Sequence, residues 1–102
     1  MSRFRLVREA AEDLSEIFDY IAERDSINAA ERVREALLEA MRQLASMPRI
    51  GHRRPEITSK GVLFWPVCSF EIIYRPETRP IEIVAVLRGK RNLKNVLRGR
   101  LP

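Results

Sequence analysis

An α+β domain of order β-α-α-β-β-β, with a helix hairpin packed on a small antiparallel sheet, is what this sequence predicts. Three observations predict it. The hydrophobic period is two residues at the start, three to four residues between Arg8 and Leu44, and two again between Val62 and Arg88. Pro48 closes the helical stretch, and the run RIGHRRPEITSKG from Arg49 to Gly61 has no periodicity, so it reads as the loop between helices and strands. The chain has 102 residues, 45% of them apolar, which suits one domain with a modest core. Residues 1–102 are therefore read as a single domain ending in a basic tail from residue 90.

Each element follows from local pattern. Phe4 and Leu6 alternate with Arg3 and Arg5, as a short strand with one buried face would. From Arg8, Ala10, Leu14, Ile17, Phe18 and Ile21 share one helical face while Glu9, Asp13, Glu16 and Glu23 fall elsewhere. Ser26 is placed to cap a second helix, along which Ala30, Val33, Leu37, Ala40, Met41 and Leu44 repeat. A link this short makes the two helices an antiparallel hairpin. Met41, Met47 and the alanines read as helix–helix packing. Three strands follow, Val62 to Val67, Ser69 to Arg75 and Ile81 to Arg88, rich in Val, Ile and aromatics. In the last, Ile81, Ile83, Ala85 and Leu87 alternate with Glu82, Val84, Val86 and Arg88, so both faces are largely apolar and something must cover the second one. The tail, or another protein, could do so; Leu93, Val96 and Leu97 stand at helical spacing for one or two turns. Leu14, Ile17, Phe18, Leu37, Met41, Phe70, Ile72 and Ile83 are the expected core.

Composition excludes several functions. The longest apolar run, Val62 to Cys68, spans seven residues and contains Pro66, against the roughly 20 of a membrane-spanning helix. Acids follow Arg3 and Arg5 too soon for a signal peptide, so a cytoplasmic location is expected. One cysteine, Cys68, and one histidine, His52, cannot build an internal disulfide or the ligand set of a zinc site, so no metal is expected, nor any cofactor. His52 lies in a Gly- and Arg-rich loop and reads as a solvent-exposed side chain. Cys68 lies at a turn with no histidine nearby in sequence.

The net charge of +5 hides a division. Residues 1–47 carry 7 Arg against 10 Asp or Glu, a net of −3, and residues 48–102 carry 12 Lys or Arg against 4 Glu, a net of +8. A positive half of this size attracts polyanions or acidic protein segments. Arginine and lysine chemistry is what remains after the fold is built: Arg53, Arg54, Arg88, Lys90, Arg91 and Lys94 are the candidates for contact with a target.

The element order is that of the RelE/ParE toxin superfamily. Four stretches, AAEDLSEIFDYIAERDSINAAERV, LASMPRIGHRRPEI, WPVCSFEIIYRP and IEIVAVLRGKRNL, resemble ParE members in sequence as well as in order, over about residues 4 to 93. RelE-type members are ribosome-dependent ribonucleases, and their resemblance implies cations here that are missing. FWPVCSF has no lysine, Glu71 stands where an arginine is expected, and Leu97 stands for a tyrosine, although Arg91 matches the late arginine. Stabilising an anionic phosphorane needs those cations, so no catalytic residue is expected. The ParE resemblance implies instead a non-enzymatic toxin that binds DNA gyrase, with no direct nucleic-acid contact and no membrane, held in a hetero-oligomer by a ParD-like antitoxin. Arg75, Val84, Val86 and Arg88 are the candidates for antitoxin contact. Val7 and Arg8 depart from a Ser-Pro helix start common in ParE members, and Arg88 from a common histidine. On this reading charge reversal at Arg88 and Arg91 relieves toxicity and His52→Ala changes little. A RelE-like messenger-RNA endoribonuclease and a non-toxic basic nucleic-acid-binding module are the alternatives; strong salt-dependent DNA binding would mark the latter.

Overall fold

The computed structural model describes residues 3–89 and 92–101. Strand β1 (Phe4–Leu6) runs into helix α1 (Arg8–Arg24), which α2 (Ile27–Ser46) follows after a turn. Strands β2 (Leu63–Val67), β3 (Phe70–Arg75) and β4 (Ile81–Arg88) come next, and helix α3 (Leu93–Arg100) is last. Ser26 does cap α2, its Oγ accepting from Ala29 N at 3.0 Å, and α2 ends two residues before Pro48. Val7 precedes α1 without a side-chain cap.

The sheet order is β1-β4-β3-β2. β2, β3 and β4 form the expected antiparallel meander, but β1 joins β4 in parallel, so the sheet is mixed. Chain reversals explain it. The chain turns back between α1 and α2, between α2 and β2, and at both strand turns, and four reversals bring β4 back to the direction of β1.

The expected alternation along β4 breaks at an irregularity. Tyr74 pairs with Ile83 and Ile73 with Ala85, which leaves Val84 as an extra residue. Ile81, Ile83 and Val86 therefore face the helix hairpin, where they pack with Leu37, Met41, Leu44, Phe70, Ile72 and Tyr74. Val84, Ala85 and Leu87 face the other way, with Val62, Phe64 and Ile73. The tail covers that second face: Leu93, Leu97 and Leu101 of the α3 segment are buried on it. Of the expected core, Leu37, Met41, Phe70, Ile72 and Ile83 are buried, whereas Leu14, Ile17 and Phe18 are half-buried because α1 reaches past the end of β1 and the sheet no longer lies fully beneath it. Met47 is exposed, not packed between helices, because the helix has ended before it.

Cys68 is exposed and occupies the first position of the two-residue β2–β3 turn with φ of 56°, a left-handed conformation that a Cβ disfavours. Cys68→Gly is expected to raise stability by up to about 1 kcal/mol, since relief of that strain exceeds the flexibility glycine adds to the unfolded chain. A lower urea midpoint for the variant would contradict this account.

Candidate partner-binding site

Three neighbourhoods hold the charged residues that the fold leaves over. The first is built on the basic loop. His52 exchanges two backbone hydrogen bonds with Phe64, each 2.8 Å, which ties the loop to the edge of β2. Its ring lies on Trp65, centroids 5.9 Å apart and planes 17° from parallel, so an exposed histidine is held by stacking. Arg54 lies over the Phe64 ring at 5.7 Å, bonds Glu56 at 3.1 Å and approaches Glu71 at 3.8 Å. Burial raises the Glu71 carboxyl above the usual range, opposed by the charges of Arg54 and His52. Glu71 thus stands as the acid of an ion-pair cluster. Arg53 is exposed, without a carboxylate partner among the described residues.

The second neighbourhood is a shallow cleft of about 320 Å³ between that loop and α3. Lys60, Lys94 and Arg98 line it together with Glu56, whose carboxylate is paired with Arg54; Thr58 adds a hydroxyl, and Ile57 and Leu97 add apolar surface. Leu97 is buried against the sheet, so Lys94 and Arg98 stand on a fixed helix, while Lys60 belongs to the loop. Arg54 holds Glu56 of this cleft at 3.1 Å, and Arg53 precedes it on the loop. Lys90 and Arg91, also candidates for target contact, lie outside the described residues.

Arg88 belongs elsewhere. It pairs in register with Phe70 on the hairpin face and extends over the ring of Tyr20, its guanidinium 4.6 Å from the centroid, while Arg24 covers the same ring at 4.9 Å. The Arg88 guanidinium beside it, then the charge of Arg24, hold the Tyr20 hydroxyl below the usual phenol range. A groove of about 260 Å³ opens here between α1 and the end of β4, lined by Ile17, Tyr20, Phe70, Val86 and Arg88, with Glu16 at its side. Tyr20 and Arg24 stand one helical turn apart, a pairing open to sequence reasoning; Arg88 joins them only through the tertiary fold.

The residues expected to contact an antitoxin divide in the same way. The side chains of Val84 and Val86 are buried within the chain, so neither offers surface, because α3 and the hairpin already cover their two faces. Arg75 bonds Glu82 at 3.1 Å, and Glu82 also pairs with Arg5, a cross-strand row of three in register. Arg88 alone of the four is both exposed and free of a carboxylate partner among the described residues.

Sequence reasoning missed one structural pair. Asp13, the one buried charged side chain among the described residues, accepts two bonds from Arg100 at 2.6 and 2.8 Å and one from Val86 N at 2.9 Å. That pair fastens α3 to α1 across the end of the sheet. Its partners are 87 residues apart, and no local signal joins them. The bonds it donates to Asp13 raise the Arg100 guanidinium above its ordinary value. Among the described residues no cluster of His, Cys, Asp and Glu could hold a metal ion, and no helix is long and apolar enough to cross a membrane.

No curated protein matches the sequence. Among solved structures, a chain of the chromosomal ParDE TA system from P. aeruginosa superposes with a TM-score of 0.72 at 23% identity, over 86% of this chain and 96% of that one, and so shares the fold. The family model described as the ParE toxin of the type II toxin–antitoxin system, parDE, matches residues 4–93. With nearly its whole length under that model, the chain belongs to the ParE toxin family.

Proposed function

We propose that this toxin acts by binding DNA gyrase, without catalysis, through the basic side formed by the loop and α3, and that a ParD-like antitoxin neutralises it in a hetero-oligomer. The observation that carries the reading is a cleft where three exposed cations, Lys60, Lys94 and Arg98, outnumber one carboxylate, Glu56, that Arg54 already holds, beside the apolar Ile57 and Leu97. Such a surface suits a protein partner with acidic side chains around an apolar contact. Glu71 supports the absence of RNA cleavage. It places a carboxylate, already short of solvent, where a developing phosphorane would need positive charge.

The test sets two assays side by side, supercoiling by purified gyrase and cleavage of ribosome-bound messenger RNA. Inhibition of supercoiling without cleavage is the expected result. Arg53→Glu with Lys94→Glu is expected to weaken gyrase binding by more than about 2 kcal/mol, the cost typical of an interface hot spot, while His52→Ala changes toxicity little. Normal supercoiling together with codon-specific cleavage would replace this reading by the ribonuclease one.

A further inference from the structure

β1 is an outer strand of the sheet, so only one of its two edges is taken. Its register sets Leu6 opposite Ile83, and Val7 N donates to Ile83 O at 3.0 Å. In a parallel ladder that bond belongs to a pattern in which Arg5 and Val7 turn their backbone groups to β4 while Phe4 and Leu6 turn theirs away. Phe4 and Leu6 therefore aim their N–H and C=O groups at the free edge, where none has a partner among the described residues. That edge is accessible. Arg5, between them, has a side chain 59% exposed, and Phe4 and Leu6 are only half-buried.

The charges beside this edge are mainly positive. On the face away from the hairpin, Glu82 is shared by Arg75, at 3.1 Å, and by Arg5, so the row runs plus, minus, plus and stops at the open edge on an arginine. At the start of β1 a pocket of about 220 Å³ is lined by Arg3 and Arg79 with the apolar Ala45, Pro48 and Pro80, and among the described residues no acid lines it. Arg79 donates to Pro76 O at 3.3 Å and to Thr78 O at 3.2 Å, and neither it nor Arg3 has a carboxylate partner among the described residues. Glu77, two residues before Arg79, is held by Arg49.

We propose that an acidic extended segment of the antitoxin adds to β1 as a fifth, antiparallel strand. The proposal rests on the toxin–antitoxin reading above and specifies where that partner binds. Phe4 and Leu6 become hydrogen-bonded pairs, so Arg5 falls in the closer, non-hydrogen-bonded pair, where an opposed carboxylate continues the alternation of charge. Two residues further along the segment, a second acid comes opposite Arg3 and beside Arg79. Residues opposite Phe4 and Leu6 fall on the hairpin side, next to apolar side chains. The segment therefore reads apolar, acid, apolar, acid. Main-chain bonds supply its affinity and the arginines supply the choice of partner. They also turn away a second copy, because two β1 edges laid antiparallel would set Arg3 and Arg5 of one against those of the other, as charges that guard an edge strand do.

The test uses the whole chain with the antitoxin encoded beside it. Exchange of the Phe4 and Leu6 amides is expected to slow by about tenfold or more in the complex relative to the free toxin. Arg3→Glu with Arg79→Glu breaks no ion pair among the described residues, so its melting temperature is expected to match the wild type while the complex weakens by about 100-fold, as like charges opposed across an interface do. Changing the second acid of the antitoxin segment to lysine is expected to restore binding to that double variant. Should the double variant melt early, the exchange measurement decides alone. A complex with unchanged exchange at Phe4 and Leu6, or one that the folded double variant weakens by less than about threefold, overturns the site and leaves the toxin–antitoxin reading standing. Slow exchange of these amides in concentrated free toxin assigns the edge to a second copy and overturns it too. Wild-type toxin that forms no complex removes the antitoxin reading and this site together.

Discussion

Asp13→Ala is expected to lower the unfolding free energy by about 3 kcal/mol, the low end of what breaking a buried ion pair costs. The low end applies because the Arg100 side chain is 21% exposed and can turn toward water once its partner is gone. The Val86 N–H cannot, and adds the cost of an unsatisfied donor at the edge of β4. Replacing both charges, Asp13→Leu with Arg100→Met, is expected to recover much of the loss, because no lone charge then remains to be desolvated. Urea unfolding of the three variants measures this. A loss below about 1 kcal/mol for Asp13→Ala would class the pair with ordinary surface ion pairs.

The second large effect is expected at Gly51. Tyr74 is fully buried beneath the loop, its hydroxyl donating to Pro48 O at 2.7 Å and accepting from Gly51 N at 3.0 Å. Burial pushes the phenol up from its ordinary value, more than the bond from Gly51 and the charge of Arg49 lower it. A Cβ at Gly51 would lie 2.5 Å from that hydroxyl and 2.9 Å from Leu63 Cβ, so neither the ring nor the strand can stay in place. Gly51→Ala is expected to cost about 2 to 3 kcal/mol, from overpacking and a displaced buried hydroxyl. Gly61, whose Cβ would meet nothing within 4 Å, serves as control, with a change within about 0.5 kcal/mol for alanine. Equal thermal midpoints for the two variants would show that the loop gives way around Tyr74.

Signals that act within one turn or one strand were legible in the sequence. Ser26 and Pro48 bound α2 because capping and ring closure are local chemistry, and the strands of the meander start within a residue of their expected positions. What escaped depends on contacts between distant segments. The parallel pairing of β1 follows from the number of chain reversals and leaves no trace in Phe4 to Leu6. The faces of Ala85 and Val86 exchange at a bulge that the uniform apolar run of β4 conceals. The basic residues were visible as a set, but their division between the α3 cleft and the Tyr20 groove was not, since charge in sequence carries no direction in space. Asp13 read as one more solvated helix acid, because its two partners come from β4 and from the tail.

The tie between Asp13 and Arg100 also bears on the time course of folding. Closing a loop of 87 residues from an open chain costs about 4 kcal/mol of chain entropy beyond a constant. The pairing of β1 with β4 must do that work first, since it brings α1 beside Val86 and leaves only the short stretch to Arg100 to be gathered in. A latch that closes after the rate-limiting step governs how fast a protein comes apart more than how fast it assembles, so Asp13→Ala is expected to speed unfolding more than it slows folding.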